Sequence, residues 1–156
     1  MDDLEVRPAR TADADRLAAV YRSAYERNRE LGFPAKAESA TGAEVAEWIS
    51  ERRVYVATVG DDPVGGVRLE ETDPGRVKLG RLAVHDRWKG RGIGGRLLDH
   101  AEEAGRDLGA ETVRLTTPEG HPFLPALYRD RGYEKTGEYP LAYREYDEIV
   151  LEKQLR

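Results

Sequence analysis

Four glycines and three cations are packed into nine residues, Arg87-Trp88-Lys89-Gly90-Arg91-Gly92-Ile93-Gly94-Gly95. The run joins an apolar, strand-like segment to a long amphipathic helix pattern. No other feature constrains the fold as tightly. A glycine-rich turn that passes from strand to helix exposes main-chain N–H groups without side-chain obstruction. It also points them along a helix axis that carries about half a positive charge at its start. Arg87, Lys89 and Arg91 add three formal charges, so the guest that fits is a phosphate or a pyrophosphate.

The flanking segments supply the remaining architecture. Alternation predicts a first strand over Leu4–Arg7, closed by Pro8. A helix is expected from a Thr11 cap to about Arg29, with Leu17, Val20, Tyr21 and Ala24 on one face. A second helix opens at Thr41-Gly42 and carries Val45, Trp48 and Ile49. Strands follow over Arg53–Val59, Val64–Glu70 and Arg76–Val84, separated by the turns Gly60-Asp61-Asp62-Pro63 and Thr72-Asp73-Pro74-Gly75. After the glycine run, Ile93, Leu97, Leu98, Ala101 and Leu108 mark the long helix, with Gly109 at its end. A strand over Glu111–Thr117, a short helix over Phe123–Arg131 and strands over Tyr133–Glu138 and Tyr146–Leu151 complete the chain. The expected order is β-α-α-β-β-β-α-β-α-β-β, a mixed α/β domain spanning residues 1–156.

Composition excludes several chemistries. The sequence has no cysteine, so a thiolate metal site or an acyl-cysteine relay is ruled out. The formal net charge of −5 disfavours non-specific nucleic-acid binding. No apolar run approaches the roughly 20 residues that span a bilayer, and Met1-Asp2-Asp3 does not begin a secretory signal. A cytoplasmic protein acting on neither nucleic acid nor membrane is expected, without a metal.

Three phosphate ligands compete for the loop. A P-loop would need Gly-x-x-x-x-Gly-Lys-Ser/Thr, which is missing. Gly90, Gly92 and Gly95 satisfy a loose dinucleotide pattern, but mid-chain after hairpins rather than in a first βα unit. In the third reading, Arg87-x-x-Gly90-x-Gly92, preceded by Gly80–Val84, resembles the signature of the GNAT family of N-acetyltransferases. Leu127-Tyr128 followed by Gly132-Tyr133 is similar to that family's second hallmark, and the element order matches over nearly the whole chain. The resemblance implies a twisted, mostly antiparallel sheet flanked by helices and splayed between its fourth and fifth strands. It also implies transfer of an acetyl group from acetyl-CoA to a primary amine by direct attack, the amine belonging to a small molecule or a peptide. Homodimers are in keeping with the family. A non-catalytic acyl-CoA-binding module is the alternative.

Residue roles follow from the same resemblance. The CoA pyrophosphate is expected on the backbone of Arg87, Trp88, Lys89, Gly90, Arg91, Gly92, Ile93 and Gly94. The pantetheine arm is expected to lie as an added strand beside Leu82, Ala83 and Val84, whose N–H groups would polarise the thioester carbonyl. On pattern alone Tyr128 reads first as a core tyrosine; the resemblance makes it the expected general acid, or the group that positions the sulfur. His121 stands where many family members have an Asn that touches the cofactor; it is expected to contact the pantetheine or act as a base, and reads equally as a loop histidine. Family members often carry a Glu early on the fourth strand, where this chain has Lys78. Glu70 and Glu71 are therefore the nearest candidates for a base, acting through water, and read otherwise as solvated acids. Arg81 is a candidate for an acceptor carboxylate or a surface residue. Trp88 is expected to pack the loop onto its helix.

Overall fold

The computed structural model describes residues 3–34, 36–140 and 146–155. Seven strands form one sheet in the order β1-β2-β3-β4-β5-β7-β6. They are β1 (Leu4–Pro8), β2 (Arg53–Val59), β3 (Asp62–Asp73), β4 (Arg76–Val84), β5 (Thr112–Pro118), β6 (Glu134–Tyr139) and β7 (Glu148–Gln154). The helices are α1 (Ala14–Glu30), α2 (Gly42–Glu51), α3 (Ile93–Asp107) and α4 (Leu124–Asp130). All strand pairs are antiparallel except β4 with β5. Periodicity locates these strands but carries no information on direction; the parallel pair arises because α3 crosses over between them.

The two faces of the sheet are closed separately. Leu17, Val20, Tyr21 and Ala24 of α1 pack with Val45 of α2 against Val54 and Val56. Ile93, Leu97, Leu98 and Ala101 of α3 cover the other face over Val67, Leu69, Val77 and Leu115. Adjacent glycines on β3 let both helices approach. A β-carbon on Gly65 would lie 3.0 Å from Leu97 Cδ1, and one on Gly66 would lie 2.8 Å from Leu17 Cδ1.

Several boundaries differ from the sequence expectation. Thr11 does not cap α1: Thr11–Asp13 forms a 3₁₀ turn, and the Asp13 carboxylate accepts the Arg10 N–H at 2.8 Å. Asp13 is held there by Arg7 at 2.9 Å, whose guanidinium lowers the carboxyl's pKa. At α2 the expected cap is present, with Thr41 and Glu44 forming a reciprocal capping box. Strand β3 runs longer than expected in both directions, because Asp62 and Pro63 already pair with β2 and Glu71 and Asp73 still pair with β4.

The sheet opens between β4 and β5. Only Arg76–Lys78 pair with Thr112–Arg114, although both strands continue well beyond. The cause lies on β4. From Gly66↔Ala83 to Arg68↔Gly80, two steps along β3 oppose three along β4. This bulge centres on Arg81, whose φ of 53° is the one left-handed non-glycine value among the described residues. A bulge bends and twists its strand, and here it turns β4 away from β5. The expected splay between the fourth and fifth strands is thereby accounted for.

Candidate active site

The gap between the diverging strands is a cleft of about 690 Å³. One wall is β4 from Lys78 to Val84; the other is Leu115–Pro118 of β5. Tyr25 and Phe33 from α1 and its exit close one end, and the glycine loop with the start of α3 closes the other. The His85 N–H donates to Val64 O across to β3 at 2.9 Å. Strand alternation then turns the main chain of Leu82 and Val84 toward the cleft and that of Ala83 toward β3. The Tyr25 hydroxyl, 3.5 Å from Leu82 O, marks that side. An extended arm laid along β4 therefore meets free donors and acceptors at alternate residues.

The loop divides into two parts. The amides of Arg87 and Trp88 are already used, donating to His85 Nδ1 at 3.2 Å and His85 O at 2.8 Å. The N–H groups from Gly90 to Gly95 have no backbone acceptor among the described residues. Gly92 stands at the N-cap of α3 with φ of 79° and no side-chain cap, and a β-carbon there would meet nothing within 4 Å. The helix thus presents its first amides to open space, as an anion requires. Lys89 lines the same space above the Phe123 ring, and its burial lowers its pKa. Arg87 and Arg91 lie exposed outside the cleft, with Arg91 stacked 4.7 Å from the Trp88 ring. Trp88 is half-buried against the core, as packing of the loop demands. This donor set, cation and free strand edge fit the diphosphate and amide-rich arm of a coenzyme A thioester.

Tyr128 is buried on α4 and lines the cleft. Its ring meets Tyr133 edge-on at 5.8 Å. Burial above all, then Tyr25 and Glu148, pushes its phenol pKa well above the usual value. The hydroxyl is therefore neutral and able to donate.

The two expected carboxylates lie elsewhere. Glu70 is paired with Arg52, and Glu71 with Arg53 at 3.3 Å, both on the strand surface away from the cleft. The β3 register and the arginines at the α2–β2 junction draw them off. Among the described residues, the carboxylate that lines the cleft is Glu148, at the first residue of β7, near both Tyr25 and Tyr128. Sequence reasoning missed it, because its place depends on β7 lying next to β5, where Glu148 pairs with Pro118.

His121 is also brought elsewhere than expected. It is buried beside the cleft rather than on its lining. Its Nδ1 accepts the N–H groups of Phe123 and Leu124 at 3.3 and 3.2 Å, while Nε2–H donates to Asn28 Oδ1 at 3.1 Å. The imidazole thus caps the start of α4 and ties it to α1. Desolvation, and then Lys89, lowers its pKa to about 4.

The acetyltransferase (GNAT) family model matches residues 17–133. S-(2-succino)cysteine N-acetyltransferase of Bacillus subtilis (strain 168) is 31% identical over 152 residues, covering 92% of each chain. The PaiA N-acetyltransferase of Thermoplasma acidophilum, solved with coenzyme A, superposes with a TM-score of 0.83 at 17% identity, over 97% of this chain and 98% of that one. The yncA structure from Salmonella typhimurium, with its cofactor acetyl-CoA, gives 0.80 at 16% identity over 98% and 94%. The two solved structures share the fold, and the glycine loop, the Leu127-Tyr128 pair and the parted strands all fall within the matched span. The chain therefore belongs to the GNAT family of acetyltransferases and is an acyl-CoA-dependent N-acyltransferase.

Proposed function

We propose that this protein transfers an acetyl group from acetyl-CoA to a primary amine that enters the cleft from the Tyr25–Glu148 end. The observation that carries this reading is the gap between β4 and β5, with uncapped helix amides at one end and a carboxylate and a phenol inside it. Bound acetyl-CoA supplies the thioester whose acyl carbon is attacked. The Gly90–Gly95 amides and Lys89 hold the diphosphate, and the β4 edge aligns the arm. The N–H of Leu82 or Val84 faces the thioester carbonyl and stabilises negative charge developing on its oxygen, a contribution typically worth about 3 kcal/mol.

Proton traffic falls to two side chains. Glu148 takes, directly or through water, the proton that an acceptor ammonium must lose before nitrogen can attack. As the N–C bond forms and the C–S bond breaks, Tyr128 protonates the departing sulfur, and its phenolate takes up the second proton that the attacking nitrogen sheds. A phenol with a raised pKa is a reluctant acid in water. The thiolate is desolvated in the same cleft, so burial raises the proton affinity of both.

The test is release of free thiol when the protein is incubated with acetyl-CoA and pooled amines, comprising amino acids, polyamines and peptide N-termini. Acceptor-dependent release is expected. Saturable CoA binding without release across the panel would make the chain an acyl-CoA-binding module and overturn the reading.

A further inference from the structure

Two arginines point to the chemistry of the acceptor. Arg68 on β3 and Arg81 at the β4 bulge both line the cleft at its Tyr25 end. Both guanidinium groups lie by the Trp48 ring, at 5.2 and 5.6 Å from its centroid. Both side chains are half-buried, and no ion pair neutralises either one among the described residues. The Arg81 Nε is fully buried and has no hydrogen-bond partner. Burial, and then the neighbouring Arg81, lowers the Arg68 pKa, the sign of two like charges held together out of water.

A chain with an overall charge of −5 thus concentrates positive charge in one desolvated corner. Such an arrangement is costly unless something compensates it. The backbone strain at Arg81 adds to that cost, since left-handed backbone disfavours a side-chain-bearing residue by roughly 1–2 kcal/mol. Among the described residues, the Trp48 ring and the Tyr25 hydroxyl offset only part of the cost of burying the two charges. A planar carboxylate compensates the buried charge further, because the guanidinium fork matches it with two parallel hydrogen bonds. Glu148 faces the same end with opposite charge. A molecule bearing a carboxylate and an ammonium a few bonds apart matches this placement of charges.

We infer that Arg68 and Arg81 form a carboxylate-binding subsite, and that the amine acceptor is an amino-acid-like zwitterion. This deepens the proposed transfer reaction and rests on it. The transfer itself is unchanged: acceptor nitrogen bonds to the acyl carbon, the thiol leaves, and the carboxylate only anchors.

The experiment compares matched pairs, each α- or ω-amino acid against its own carboxamide, by thiol release from acetyl-CoA. The amine of a carboxamide is the weaker base and is more deprotonated at neutral pH, so any preference for the acid runs against intrinsic reactivity. For at least one pair, kcat/KM is expected to favour the acid by about 10- to 100-fold. Arg68→Gln and Arg81→Asn (Asn tolerates left-handed backbone) should each collapse that ratio by raising KM for the acid, leaving KM for the amide and CoA affinity in place. Melting curves accompany each variant. Where one does not fold, the Lys variant at that position is read instead, and loss of the fork should still erase most of the preference. Equal use of acid and amide by the wild type, or a ratio that survives the substitutions, overturns the subsite while leaving the transferase intact. CoA binding with no thiol release from any amine overturns the transferase reading, and the subsite falls with it.

Discussion

Replacing Gly92 by Asn and by Asp separates the proposed anion site from the fold. Both side chains tolerate left-handed backbone better than other residues, so the φ of 79° imposes a similar cost of about 1 kcal/mol on each. A β-carbon there meets no atom within 4 Å, so no overlap is added. For a domain of this size, about 1 kcal/mol lowers Tm by roughly 2–4 °C. Asp should be no worse than Asn, because a carboxylate at the start of α3 gains roughly 0.3–1 kcal/mol from the helix dipole. Binding separates the two. A carboxylate at about 6 Å from a diphosphate with about two negative charges is repelled by roughly 5 kcal/mol at an effective dielectric of about 20. Salt at physiological strength reduces this to about 3 kcal/mol, or about 100-fold in Kd. Calorimetric titration of CoA into each variant gives the comparison. Gly92→Asp should bind about 100-fold more weakly than Gly92→Asn at physiological salt, with the gap widening as salt is lowered. Affinities within about threefold of each other would show that no phosphate lies at this helix terminus.

Three further outcomes are expected. Tyr128→Phe removes a hydroxyl but keeps the edge-on contact with Tyr133, so Tm should hold while kcat falls by about 100- to 10,000-fold; undiminished kcat would remove the proton-donor role. His121 is neutral in the native state and titrates near pH 4, whereas in the unfolded chain it binds a proton below about pH 6.5. Its contribution is therefore complete above pH 6.5 and is lost as pH falls from 6.5 toward 4, by up to about 3 kcal/mol. Urea titrations at pH 7 and 4.5 should show a steeper loss for the wild type than for His121→Gln, and parallel losses would refute it. Gly66→Ala drives a methyl toward Leu17 Cδ1 and the Tyr21 hydroxyl, at 2.8 and 3.1 Å, and should lower stability by about 1–2 kcal/mol; an unchanged melting curve would mean that α1 shifts freely.

Much of this chain was legible before any coordinates. Hydrophobic periodicity placed every strand and helix to within a few residues, because burial of one face is a local pattern written at spacings of two and 3.6. The glycine run marked a candidate anion site, because only glycine lets the backbone turn at positive φ and remain uncovered. Gly90 and Gly92, at 78° and 79°, do so here. The Leu127-Tyr128 pair marked the buried phenol. These features depend on residues close together in the chain.

The tertiary structure decided everything that depended on which distant residues meet. Glu70 and Glu71 have the chemistry of a base, but Arg52 and Arg53 hold them on the strand surface, while Glu148, unremarkable in sequence, enters the cleft through the β5–β7 pairing. His121 reads as a cofactor contact or a loop residue, yet its two nitrogens cap one helix and grip another. The opening of the sheet rests on one extra residue at Arg81, and that residue's charge becomes meaningful only beside Arg68. A sequence encodes which groups a chain possesses and the local geometry each prefers. Strand register and long-range pairing alone determine which charges are neutralised and which are left facing the cleft.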